Sequence, residues 1–262
     1  MADRNSTSYM FFFAGAVCLV CSIFVASSAV ALKPKQDANK VVDRQKKVLS
    51  VAGLIRAGEE LGPDVVAERF EENIVTKVIN LDTGEYVDDV DPATYDMRKA
   101  AVDPATSVAA PAGNPAKVLR IPNHALVYHV MRDGAVDNLI LPMHGKGLWS
   151  TLYGFLAVES DAQTVSGIVF YEHAETPGLG GEVDNPRWRS SWKGRKIYGE
   201  DGQPKISVIK GAAGSASSDP FRVDGLSGAT ITSRGVSYLV QFWMGDDGFK
   251  PYLDRFTAQG GA

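Results

Sequence analysis

Cysteine is nearly absent from this chain of 262 residues: there are two, Cys18 and Cys21, and both lie in an N-terminal apolar run. From Lys33 onward there is none, which excludes a disulfide framework for the rest and fits an exported domain that needs no such staple. Positive charge is also short, with 27 Lys and Arg against 31 Asp and Glu and a net charge of −4. No basic footprint or binding motif for nucleic acid remains, so nucleic acid is not an expected partner. Enzyme signatures are missing too: the chain has no G-x-S-x-G elbow, no H-E-x-x-H and no phosphate loop ending in GK[ST]. His144 and His173 have no companions that complete a metal site, so no metal is expected.

What is present begins with 24 uncharged residues, Tyr9 to Leu32, enough to span a bilayer as one helix. A cleaved signal peptide is the rival, since Ala29-Val30-Ala31 has the small-x-small form, but its apolar core is usually shorter. Cys18 and Cys21 share one helix face, where two sulfurs fall short of a metal site and apolar packing suffices. Arg4 precedes the run, while Lys33, Lys35, Lys40, Arg44, Lys46 and Lys47 follow it, so charge alone would hold the large domain in the cytoplasm.

Residues 1–8 read as a short tail, 9–32 as the membrane helix, 33–117 as the helical and loop part of a soluble domain, and 118–262 as its core. Helix-spaced apolar residues from Val41 to Leu61 predict an amphipathic helix, and a second helix follows Pro63. A turn is expected at Thr83-Gly84-Glu85, a short element from Pro92, and an irregular surface loop over Ala101 to Lys117. Strands are expected at Ala125–Val130, Asn138–Leu141, Leu152–Glu159, Val165–Glu172 and Ile206–Ile209, where β-branched and aromatic residues sit between turn residues. The result is an α+β domain with a mixed or antiparallel sheet flanked by helices.

One loop carries the most information. Asp224-Gly225-Leu226-Ser227-Gly228-Ala229-Thr230-Ile231-Thr232 runs into a helix whose Val236, Leu239, Val240 and Trp243 form one apolar stripe. Ser227, Thr230 and Thr232 are thus candidates for N-cap hydroxyls, and a glycine-rich turn opening a helix also suits a phosphate.

The order Asp-x-x-Ser-Gly-Ala-Thr-x-Thr resembles the flavinylation motif of the FMN-binding domain family. The resemblance implies covalent FMN on Thr230 through a phosphoester, with Ser227, Gly228, Ala229 and Thr232 around it and Asp224 as the acid that a flavin transferase reads. Pro142 to Trp149, Glu172 to Val183, and Asp43 to Leu54 are similar to the NqrC family, the C subunits of Na+-translocating NADH:quinone oxidoreductases.

That resemblance spans nearly the whole chain. It implies an electron carrier that does not bind NADH itself, within an inner-membrane complex that passes electrons from NADH to ubiquinone and expels Na+. Its partners would be other subunits, membrane lipid and the flavin transferase, with the large domain in the periplasm against the charge count. In that setting Glu175, Thr176, Gly178, Leu179 and Gly180 would approach the flavin ring. Lys146 would favour its reduced anionic form, and Trp149 would pack beside it. The related G-type component of the Rnf electron transport complex, or a non-redox membrane-anchored assembly module, are the alternatives. The intact Ser227-Gly228-Ala229-Thr230 argues against the second.

Overall fold

Residues 6–56 and 58–260 are described in the structure, a computed structural model. Most of the expected tail, residues 1–5, and the last two residues of the expected core lie outside them. The chain divides after Arg44 into two units.

Helix α1 runs Thr7–Val51 and contains Pro34, whose ring nitrogen cannot bond the Val30 carbonyl as a helical amide would. It is long and apolar enough to cross a membrane by length and composition. The separate amphipathic helix expected over Val41 to Leu61 is not formed. Its first half belongs to α1, and Gly53, at φ 74°, ends the helix. The Gly53 amide bonds the Ser50 carbonyl and the Leu54 amide bonds the Leu49 carbonyl, a Schellman closure that any residue with a Cβ would strain. Val48, Leu49 and Val51, at the end of α1 within the second unit, are buried.

In the second unit, α2 (Pro63–Asn73) starts with proline in its first turn, where the missing amide costs nothing. It leads into β1 (Ile74–Asn80), a β-branched run inside the segment expected to hold only helix and loop. The element expected from Pro92 begins later, as α3 (Met97–Val102), because Asp96 accepts the Arg98 and Lys99 amides as N-cap. The expected irregular loop over Ala101 to Lys117 also holds β2 (Ser107–Ala109), which pairs antiparallel with β3 (Arg120–Pro122).

Then come β4 (His124–Arg132), β5 (Ala135–Lys146), β6 (Thr151–Glu159) and β7 (Val165–Glu172). With β1 they form one antiparallel sheet in the order β1-β4-β5-β6-β7. Asp133 and Gly134, both at positive φ, make the tight β4–β5 turn. After α4 (Pro186–Ser190), the short β8 (Ser207–Val208) and β9 (Arg222–Val223) pair in parallel.

Helix α5 (Thr230–Trp243) turns its predicted stripe, Val236, Leu239, Val240 and Trp243, fully into the core. It lies against the end of β5, and the Trp243 indole donates to the His144 carbonyl at 2.7 Å. Helix α6 (Lys250–Ala258) adds Tyr252, Leu253 and Phe256 to the same core.

Candidate functional site

Glu175 is 4% exposed, three residues beyond the end of β7. A buried carboxylate needs donors, and this one has four. Its Oε1 accepts the Trp149 amide at 2.9 Å and the Ser150 amide at 3.3 Å. Its Oε2 accepts the Leu148 amide at 3.3 Å and the Thr232 hydroxyl at 2.5 Å. Burial pushes its pKa up, but the Thr232 hydroxyl and then the three amides outweigh that and hold it below the ordinary value. One charge thus ties together the β5–β6 loop, the segment after β7 and the first turn of α5. With its oxygens filled by the protein's own donors, Glu175 holds these loops together.

Gly180 allows this convergence. A Cβ there would lie 2.6 Å from Thr232 Oγ1 and 2.7 Å from Glu175 Oε2. Between the two, the Thr176 carbonyl accepts the amides of Leu179 and Gly181, and Gly178 turns the loop at φ 75°. The exposed tip carries Thr176 and Leu179. Leu179 reaches across to the other loop, where a Cβ on Gly228 would lie 2.9 Å from its Cδ2.

Beyond that contact is a cavity of about 470 Å3, whose wall includes Ser227, Gly228, Thr230, Ser233, Lys210 and Arg234. No Asp or Glu among the described residues lines it. Thr230 is exposed at the first position of α5, where the opening amides have no partner within the helix. The expected hydroxyl cap is not made: the N-cap is Ala229, whose methyl group cannot accept a hydrogen bond, and Thr232 gives its hydroxyl to Glu175. Asp224 stands at the start of the loop, where its Oδ1 accepts the Ala213 amide at 2.8 Å and its carbonyl accepts the Trp188 indole at 2.8 Å.

The structure therefore brings Ser227, Gly228 and Thr230 into one cavity wall, with Leu179 beside them. It places Thr232, Glu175, Gly180 and the Trp149 backbone at the junction behind that wall. Lys146 is not in this wall: it lines a different, smaller cavity, and its Nζ reaches the Trp149 carbonyl at 3.3 Å. Trp149 itself is 66% exposed, and Leu148, Leu179 and Ile231 are exposed on the same pinned segments. Lys210 and Arg234 were missed from the sequence, where neither belongs to a motif.

The family model of the FMN-binding domain matches residues 147–245, the stretch that holds these loops and α5. The C subunit of the Na+-translocating NADH-quinone reductase from Pseudomonas aeruginosa is 48% identical over 255 residues, covering 97% of each chain. The chain belongs to this NqrC family. The corresponding protein of Vibrio alginolyticus is 49% identical over 238 residues, 90% of each chain. The crystal structure of NqrC from Shewanella oneidensis superposes with a TM-score of 0.76 at 36% identity, covering 86% of this chain and 99% of that one. As a member of the NqrC family the protein has other subunits for partners, and its FMN-binding domain sets the cofactor class.

The residues fit FMN. A cavity of about 470 Å3 is in the range of cofactor pockets. Two cations, helix amides free of helical partners and the absence of acids from the described wall suit a phosphate there, while the exposed apolar side chains on the pinned loops suit a flavin ring.

Proposed function

We propose that this chain is the covalently flavinylated electron relay of the Na+-pumping NADH:ubiquinone reductase, with FMN joined to the Thr230 oxygen through a phosphoester. The observation that carries the reading is Thr230 itself, a hydroxyl exposed at a helix N-terminus in a cavity with Lys210 and Arg234 and no acid among its described lining. Bound there, FMN supplies a centre that accepts and releases electrons. The chain's own residues do the rest. Lys210 and Arg234 offset the phosphate charge, and Gly228 admits the backbone close to Leu179. Glu175 fixes the loops that present Leu179 and Trp149 to the ring. Lys146, the last residue of β5 with its Nζ on the Trp149 carbonyl, adds positive potential that favours the reduced anionic flavin.

Asp224, in this reading, is the acid of the motif read by a flavin transferase during maturation. Helix α1 anchors the chain in the lipid of the inner membrane, and the large domain lies in the periplasm, where partner subunits enforce a topology that flanking charge opposes.

Chain taken from its native host and denatured on a gel should fluoresce as a flavin band. The Thr230→Val variant should be dark while unfolding at the same denaturant concentration, because Thr230 is exposed. A fluorescent variant would move the attachment elsewhere, and a dark wild type would remove the redox reading. A C-terminal reporter active only in the cytoplasm would overturn the periplasmic placement.

A further inference from the structure

On the far side of Lys146 lies the smaller cavity, of about 190 Å3. Its wall holds four cationic side chains, Arg98, Lys117, Arg120 and Lys146, beside His144 and Tyr153, and no Asp or Glu among the described residues lines it. That is a local reversal in a chain with 31 acidic and 27 basic residues. His144 adds no charge at neutral pH, since burial and then the neighbouring Arg98 pull its pKa down to about 4.

Both arginines are held in place by the protein's own groups. Arg98 lies 3.5 Å over the Tyr153 ring and pairs with Glu172 at 2.8 Å through Nη1. Arg120 donates from Nε and Nη2 to the Ser107 hydroxyl and carbonyl at 2.7 and 2.6 Å. Lys117 sits at φ 56°, a left-handed conformation that costs a non-glycine residue about 1 kcal/mol. Asn114 closes that turn: its carbonyl accepts the Lys117 amide, and its side chain bonds both backbone groups of Val118. The turn sets the backbone from which Lys117 lines the cavity.

The same wall carries two apolar residues turned to water. Leu119 is 85% exposed and Val102 78%. Leu119 is not on a loose loop, because its carbonyl accepts the Ala110 amide as the β2–β3 pair begins. Exposed apolar side chains on hydrogen-bonded backbone around a charged pocket form the anatomy of a protein interface, where preorganisation lowers the cost of binding.

We infer that this cavity docks an acidic side chain of another protein of the complex, whose apolar neighbours close over Leu119 and Val102. Membership of a multi-subunit reductase supplies the partner, and charge complementarity gives its chemistry. A free anion would engage the cations yet leave Leu119 and Val102 in water.

The test uses the assembled complex with two variants, Lys117→Glu and Leu119→Asp. Both positions are exposed and neither lines the cavity at Thr230. Each variant should keep the flavin band, and its retention with the other subunits should fall about tenfold or more at low salt, the gap between Lys117→Glu and wild type narrowing as salt screens the charges. A photo-crosslinking residue in place of Leu119 should capture an Asp- or Glu-bearing segment of a partner protein in the complex. Wild-type retention of both variants overturns the inference, as does an adduct formed with lipid or with nothing. Loss of the flavin band in wild type would instead strike the Thr230 reading, so the two failures are distinguishable.

Discussion

The Thr232 hydroxyl donates to Glu175 Oε2 at 2.5 Å, and through this contact the first turn of α5 is fastened to the segment after β7. Both partners are buried, so neither has water to fall back on. Thr232→Val keeps the shape and deletes the donor, and a hydrogen bond to a charged group is worth about 2 kcal/mol. Urea unfolding should show a loss of that order. Glu175→Gln should lose at least as much, because its amide nitrogen would face backbone donors. The double variant should lose less than the sum, since the two act through one contact. Additive losses would mean that the contact is not the link.

Gly180 and Gly178 stand two residues apart and should respond differently to alanine. At Gly180 the new methyl would press on Thr232 Oγ1 and Glu175 Oε2, both fixed by the hydrogen bonds around them. We expect about 2–3 kcal/mol of destabilisation, the usual cost of overpacking. At Gly178 the methyl meets open space, and only the left-handed backbone at φ 75° resists it, for about 1 kcal/mol. Equal effects in thermal unfolding would show that the junction at Glu175 yields easily.

Much of this fold is legible in the order of residues alone. The runs at β4, β6 and β7 announce themselves through β-branched residues between turns, and the stripe on α5 through its spacing. Strand β1 is hard to read because it follows α2 directly, with Asn73 the lone residue that marks the boundary. The end of α1 was readable in Gly53, yet the apolar Leu54 and Ile55 beyond it invited the helix to continue. At the site, the order of residues around Thr230 is local and therefore visible. Lys210 and Arg234 meet only because β8 and α5 pack together. The role of Glu175 was hidden for the same reason, since it depends on amides 25 to 27 residues away.

Lys210 and Arg234 give the phosphate reading its own test. Both are exposed, so Lys210→Gln and Arg234→Gln should leave unfolding within about 0.5 kcal/mol of wild type. Each removes one charge-assisted partner of a phosphate, worth about 1–2 kcal/mol, so flavin loading in the native host should slow roughly tenfold. The double variant should slow further. Loading at the wild-type rate in both single variants would show that the phosphate lies away from these cations.

Two histidines set an acid limit that is separate from the carboxylates. Burial, and then Lys77, pulls the pKa of His129 down to about 4, and its Nε2 is 2.8 Å from the Tyr252 hydroxyl. His144, held neutral to about the same pH, stacks on Tyr153. Below the unfolded value of about 6.5, the unfolded chain binds protons that the folded chain refuses, so stability falls as pH drops from there toward 4. The expected loss by pH 5 is on the order of 1–2 kcal/mol for each histidine. Glu175 acts in a lower window: its folded pKa is depressed, so its contribution is complete above the unfolded carboxylate value of about 4.3 and disappears only below it. Denaturant midpoints measured from pH 7.5 to 5 should therefore slope downward in wild type and in Thr232→Val alike. Replacing both histidines with Gln should flatten that slope, whatever it does to the absolute stability. A slope that survives the double replacement would assign the acid sensitivity to other groups.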